Sequence, residues 1–328
     1  MTHLPLRAAL TTAAACASLL GASAPQAAGY PAKPVSIVVG YPAGGSVDFT
    51  ARALGEALAK RLGQSIVIEN VGGAGGTIGA DRVARATPDG YTLLVGSTNE
   101  MVIAAMINGA VRYDGLADFT PVGIIAAQPM MLAASSQAGI TSAAQYLDKL
   151  KAAGRGDYTF GSSGVGTALH LAGEMINAST QTYAEHVPYR GVSPLLTDLV
   201  SGQLDYGIFV MSSGLPYVKA GKITPLGVTE ARRSPAAPDI PALVETPGFE
   251  QVDINVWFGL YGPAGLPDDV VAVLRSALDD VLRQDAFRDR MAASGATLYA
   301  PGMDAKQFQV AETEKYRRLV GIAKLERH

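Results

Sequence analysis

VSIVVGYPAGGSVDFTAR, residues 35–52, reads as a buried strand that runs straight into a glycine-opened helix. Val35 to Gly40 is a short β-branched run without charge, the mark of a strand covered on both faces. Pro42 and Gly44-Gly45 break it. From Ser46 the apolar positions Val47, Ala51, Leu54, Leu58 and Leu62 recur at steps of three or four, which predicts a helix with one buried face that stops at Gly63. The first amides of such a helix have no partners within it and the macrodipole is positive there, so the loop mouth attracts anions.

Working outward, residues 65–69 (SIVIE) predict a second strand, residues 71–76 a loop and residues 77–86 a helix. Pro88-Asp89-Gly90 makes a turn before a third strand, 91–95, that ends at Gly96-Ser97-Thr98-Asn99. Strands alternating with helices at this spacing predict a parallel sheet with ligands beyond the carboxyl ends of its strands, so the loops at Gly44, Gly72 and Ser97 share one edge. Neither glycine loop fits a nucleotide. Ile78 stands where a third dinucleotide-binding glycine belongs, and no Lys-Ser or Lys-Thr follows Gly44-Gly45, so no cofactor is expected. The loop 72–76 is either a tight turn or a direct ligand contact. Asp48, in the first helical turn, is expected to complement the dipole and cap the loop's amides.

Upstream, Arg7, the apolar run 8–20 and the small residues 22–28 predict a signal peptide over residues 1–28, cut after Ala24, Ala27 or Ala28. The single cysteine, Cys16, lies inside it, so the mature chain has no thiol for a disulfide, a metal or a nucleophile. An exported, cysteine-free chain points to a bacterial periplasm. About three hundred residues remain, enough for two domains. Losing Arg7 leaves 25 basic against 29 acidic residues; there is no basic run for nucleic acid and no apolar stretch that would embed the chain in a membrane.

Downstream, residues 119–134 form a long extended passage that leaves the first lobe for another. The second lobe follows the same grammar, with a helix at 142–153, a strand at 158–160 and the loop Gly161-Ser162-Ser163-Gly164-Val165-Gly166. Thr167 then caps a helix carrying Leu169, Ala172, Gly173 and Ile176 on one face. Two positive helix ends facing each other across a cleft would hold a carboxylate. A strand at 185–188, the loop Tyr189-Arg190-Gly191, a helix at 194–200 and strands at 206–210 and 223–229 follow; residues 252–261, with the only tryptophan, Trp257, return to the first lobe. Pro267 opens a long amphipathic helix, and residues 304–324 form the last.

An enzymatic reading rests on few groups. Beyond the signal the histidines are His170, His186 and His328, so Ser162 or Ser163 with His170 is the conceivable nucleophile and base of a hydrolase. No Gly-x-Ser-x-Gly elbow accompanies them, and a packing or cap-supporting His170 is favoured. No histidine pair has helical metal spacing, so no metal site is expected. A periplasmic ligand sensor for a signalling partner remains a further alternative.

The run YPAGGSVDFTARALGEALAKRLGQSIVIENVGGAGGTIGADRVARATPDGYTLL resembles the signature region of the Bug receptors, the extracytoplasmic solute-binding component of tripartite tricarboxylate transporters, TctC-like in type. GSSGVGTALHLAGE, VPYRGVSPLLTDLVSGQLDYGIF and WFGLYGPAGLPDDVV extend the likeness over nearly all the mature chain. The resemblance implies an α/β, type II periplasmic-binding-protein fold: two α/β lobes with mixed sheets, joined by crossover strands, around a ligand cleft. Residues 29–127 and 257–328 would form lobe 1 and residues 128–256 lobe 2. It further implies a monomer that captures a small organic acid (a dicarboxylate or tricarboxylate, an amino acid or an aromatic acid) and delivers it to the transporter's membrane subunits. The ligand's carboxylate would be held by Tyr41, Ala43, Gly44, Gly45 and Ser46 of the first loop and by Ser162, Ser163, Gly164, Val165, Gly166 and Thr167 of the serine loop. Ser97, Thr98 and Asp205 complete the expected contacts, with Arg190 optional, either at the cleft entrance or facing solvent, and Asp48, Gly75, Gly76 and His170 supporting the loops. One departure is the sequence Gly96-Ser97-Thr98-Asn99-Glu100, where many relatives carry a histidine nearby. Hydrogen bonds to a charged group contribute about 1.5–3 kcal/mol each, against about 8 kcal/mol for micromolar affinity. A few amides and two helix ends therefore suffice without a buried arginine.

Overall fold

Four of the five residues of β1, Val35–Val39, are fully excluded from solvent, because a strand flanked by two parallel neighbours and covered on both faces leaves no side for a polar residue. In the computed structural model residues 29–325 are described, and the elements below belong to the unit that begins at Pro31. The expected signal peptide, residues 1–28, and His328 lie outside the described residues.

Helix α1, Ser46–Leu62, buries Val47, Ala51, Leu54 and Leu58 and ends at Gly63, whose φ of 67° lets its amide reach Ala59 O. Strand β2, Ile66–Asn70, helix α2, Thr77–Ala84, and strand β3, Thr92–Ser97, complete the first crossovers, with β2 and β3 both parallel to β1. The loop before α2 is a tight turn: a methyl group on Gly40 would lie 2.5 Å from Gly76 O, and one on Gly79 would lie 2.8 Å from Gly40 Cα. Only glycines let helix and strand backbones meet this closely.

After β3 the chain does not continue as the polar loop expected from the sequence. It winds into a π-helical turn, Asn99–Ile103, and then α3, Ala104–Ile107, a segment too short for apolar periodicity to register. Strand β4, Phe119–Ser135, follows. Next come α4, Ala143–Ala152, β5, Thr159–Ser162, α5, Ala168–Thr180, β6, Glu185–Pro188, α6, Val192–Ser201, β7, Tyr206–Val210, α7, Met211–Lys219, and β8, Ile223–Val228. Strand β9, Asn255–Pro263, carries the buried Trp257 and returns the chain to α8, Asp268–Arg283, α9, Asp285–Ala293, β10, Thr297–Leu298, and α10, Ala305–Ile322. Helix α8 is the long amphipathic helix expected after Pro267, and the extended Gln284 separates it from α9, which the sequence reading lacks. Helix α7 has no counterpart in the sequence reading, since Ser-Ser-Gly and an internal Pro216 look like a turn.

Strand β4 belongs to both halves of the fold. Residues 119–129 pair antiparallel with β9, which pairs in turn with β3; from Met130 onward β4 pairs with β7 and β8. Strand β5 lies parallel between β6 and β7, so the second half repeats the parallel core of the first. Where the chain crosses back, the buried Thr229 accepts from Met130 N at 3.1 Å and donates to Ile254 O at 2.6 Å, tying the outgoing and returning segments together.

Candidate functional site

The carboxyl ends of β1, β2 and β3 in one half and of β5 and β6 in the other turn their loops toward each other. A narrow cavity of about 30 Å³ lies between them, lined by Tyr41, Gly45, Ser46, Ser97, Asn99, Ser163 and Gly191, with Val47, Leu169, Val192, Val210 and Val256 as its apolar wall. It adjoins a chamber of about 790 Å³ bounded by the glycine loop 72–76, Ile107, Asn108, residues 163–166, Tyr189 and the exposed Arg190. Among the described residues no lysine, arginine or histidine lines the narrow cavity. Its polarity comes from hydroxyls, backbone and the start of α1, whose N-cap Gly45 offers no side chain.

Asp48 holds the first loop in shape. Its carboxylate accepts from Gly44 N at 2.9 Å, Arg52 Nε at 3.0 Å and Asn70 Nδ2 at 2.9 Å. Burial pulls this carboxyl up, but the bonds from Arg52, Gly44 and Asn70 outweigh it and keep it below the usual carboxylate range. Such a group stabilises the fold above its unfolded pKa, 3.8, and loses that contribution as the pH falls through its lower folded value. Asp48→Ala is therefore expected to cost ~2 kcal/mol at pH 7, with the difference from wild type shrinking toward pH 3 in urea unfolding.

The serine loop is braced from behind by histidines. Ser162 Oγ lies 2.7 Å from His186 Nε2 and accepts from Gly164 N, while His170 Nδ1 accepts from Gly166 N at 3.2 Å. The two imidazoles stack at 3.8 Å. Burial, with His170 beside it, pushes His186 down to about 3, so it is neutral at any physiological pH. Thus the histidine facing a serine is His186, and His170 supports the loop. Ser162 is fully buried and lines neither cavity.

The remaining expected residues divide by position. Ser163, Gly164, Val165 and Gly166 line the chamber, as do Gly75 and Gly76. Ala43 and Gly44 sit at the rim beside Ser193, whose hydroxyl donates to Ala43 O at 3.4 Å. Thr167 is buried as the N-cap of α5, accepting from His170 N. Thr98 is turned into the sheet, where its hydroxyl accepts from Trp257 N at 2.9 Å. Asp205 stands at the opposite, amino-terminal end of β7, bonded to Thr159 N and Oγ1.

Two residues that the sequence reading did not select stand at the centre. Asn99 Oδ1 accepts from Ala168 N, the first amide of α5, at 2.6 Å, joining the halves directly. Asn99 Nδ2 donates to Tyr41 Oη at 2.7 Å. Glu100 is 1% exposed; its carboxyl receives Ser97 N at 2.7 Å and lies 2.6 Å from Ser97 Oγ and 2.9 Å from Tyr41 Oη. Burial raises Glu100 to about 7 despite the bonds that pull it down, and burial together with Glu100 raises Tyr41 as well. Their only signal in the sequence is a carboxylate and an amide directly after a buried strand that ends at a ligand-facing edge.

Residues 50–325 match the family described as the tripartite tricarboxylate transporter family receptor. BugT of Bordetella pertussis is 30% identical over 279 residues, 84% of this chain and 85% of its own. Among solved structures, Rpa4515 of R. palustris with adipate superposes with a TM-score of 0.86 at 29% identity, covering 91% of this chain and all of that one. MatC of Rhodopseudomonas palustris with bound malate gives 0.83 at 30% identity, covering 89% of this chain and all of that one. With the two-lobed α/β architecture, the cleft at its strand ends and a family match over most of its length, the chain belongs to the solute-binding receptors of the tripartite tricarboxylate transporters, the Bug family.

Proposed function

We propose that the chain is exported to the periplasm, where it captures a small carboxylate as a monomer and hands it, unchanged, to the membrane subunits of a tripartite transporter. Residues 29–127 with 257–328, and residues 128–256, act as the closing lobes. The observation that carries this reading is the narrow cavity lined by loops from both halves and, among the described residues, by no basic side chain. A carboxylate there would be held by the amides of Gly45, Ser46, Ser163 and Val165, those of Gly44, Gly164 and Gly166 being engaged within the protein, with the hydroxyls of Ser46, Ser97 and Ser163. The adjoining chamber takes the rest of the ligand, and Arg190 at its edge suits a second acidic or polar group. Adipate and malate, the acids bound by two similar receptors, set the size range. A hydrolytic reading gains nothing from Ser162, which is buried away from both cavities.

Thermal scanning against C4–C8 dicarboxylates, hydroxy acids, amino acids and aromatic acids tests the proposal. The cognate acid at a hundred times its Kd is expected to stabilise the protein by about 2.7 kcal/mol and to be recovered intact. Conversion of the acid to a product, or no response to any acid in the set, would rule this function out.

A further inference from the structure

Glu100, Tyr41 and Asn99 form a chain of hydrogen bonds from the floor of the first half to the head of α5 in the second, and its donors and acceptors do not balance if Glu100 is ionised. Tyr41 Oη lies 2.7 Å from Gly75 O and 2.9 Å from Glu100 Oε2, and both need a proton from it. A phenol has one to give. Asn99 Nδ2 already donates to Tyr41 Oη, so it cannot help. A proton on Glu100 resolves the conflict. The carboxylic acid then donates to Tyr41 Oη, the phenol donates to Gly75 O, Asn99 Nδ2 donates its second bond to the phenol, and Asn99 Oδ1 is left pointing at Ala168 N.

We propose that Glu100 carries a proton in the closed receptor and that this proton is the latch between the lobes, so that ligand capture is coupled to pH around neutrality. This rests on the solute-binding reading above. The titratable groups facing Glu100 are Tyr41 on the first loop, Tyr113 after α3, whose hydroxyl donates to Glu100 O at 2.8 Å, and Tyr261 on β9. Burial keeps all three phenols neutral, and Tyr113 also feels Asp81 of α2. Among the described residues no lysine, arginine or histidine bonds to the Glu100 carboxyl that would hold it ionised. Gln309 of α10, which donates to Met101 O beside it, has no charge. Neutralising the carboxyl is thus the route by which this pocket is satisfied. Loss of the proton sets the carboxylate against Gly75 O for the Tyr41 hydrogen, and the strain falls on the loop 72–76 and on the Asn99 contact across the cleft.

The sign follows from linkage. A carboxyl that binds its proton more tightly in the closed form favours closure at low pH and loses that advantage as the pH rises from its open-form value through its closed-form value. With adipate, ionised across this range, Kd of the wild type is expected to rise on the order of tenfold between pH 6 and 8.5, most of it below about pH 7.5 and levelling off above, with uptake of a proton on binding at the low end. Glu100→Gln, which keeps a permanent donor at that place, is expected to bind with affinity flat from pH 6 to 8.5. Two measurements need no ligand. The infrared difference between wild type and Glu100→Gln should contain a neutral carboxyl C=O band that titrates away near pH 7. Solution scattering should show the wild type expanding between pH 6 and 8.5 while Glu100→Gln does not. Absence of that band at pH 6 would overturn the protonation, and equal pH dependence of wild type and variant would overturn the latch. Failure of every acid to bind would instead count against the solute-binding reading, leaving the infrared and scattering results to decide the latch.

Discussion

Gly164→Ala is expected to weaken binding of the cognate carboxylate at least ~100-fold while lowering the thermal midpoint by only a few degrees, the largest functional effect that a single methyl group should have in this protein. Gly164 has φ +135°, a conformation that residues with a side chain adopt at a cost of about 1–3 kcal/mol. Space is not the difficulty, since a Cβ there would lie 3.6 Å from Tyr189 O and 3.8 Å from Thr167 Cγ2. The strain is relieved by turning the peptides on either side, which swings the amides of the serine loop away from the cavity. Two misdirected amides at about 1.5–3 kcal/mol each account for the loss. Gly45→Ala is the control. Gly45 has φ −84° and ψ 175°, ordinary for any residue, and its methyl would meet only Pro42 O at 4.0 Å, so no strain turns the loop and any loss, smaller than at Gly164, reports the space the methyl takes from the narrow cavity. Calorimetric titration of both variants decides the matter; equal losses at the two positions would mean that loop shape does not control binding.

Gly40→Ala is expected to act on the fold. Its methyl would stand 2.5 Å from Gly76 O and 2.7 Å from Gly76 Cα, against backbone that has no rotamer to change. Overpacking of this kind costs about 3 kcal/mol or more, which for a chain of this length corresponds to a fall in thermal midpoint on the order of 5–10 °C. Because the displaced segment is the ligand-facing loop, the variant should also respond less to the acid that stabilises wild type. A midpoint within a degree of wild type would show that α2 does not lie as close to β1 as these distances require.

From sequence alone Gly45 and Gly164 look equivalent, each in a glycine loop before a helix, and the difference between them lies in a backbone torsion that residue type does not encode. The parallel cores could be read because β1, β7 and the apolar faces of α1 and α5 obey simple periodicities. Thr167 could be read as a cap because a hydroxyl before an apolar helix has few other uses. Asp205 shows the limit. An acidic residue near a ligand-facing strand looks like a contact until register places it at the strand's other end, bonded to Thr159. Glu100 was hidden for the opposite reason: a carboxylate beside Asn99 looks solvent-exposed, and only the tertiary fold, by closing Tyr41, Gly76 and β9 around it, makes it a buried acid.

The uninterrupted run of β4 through both halves governs how the receptor can move. A strand held by ladder bonds along its length cannot pivot freely as a loop does; it yields by a distributed twist, and each degree of torsion strains the bonds near Pro129 and Met130. The molecule is therefore expected to behave as a sprung clip rather than as two plates on a slack joint. A docking partner that touches both plates would sense occupancy through a small, stiff and reproducible change of angle.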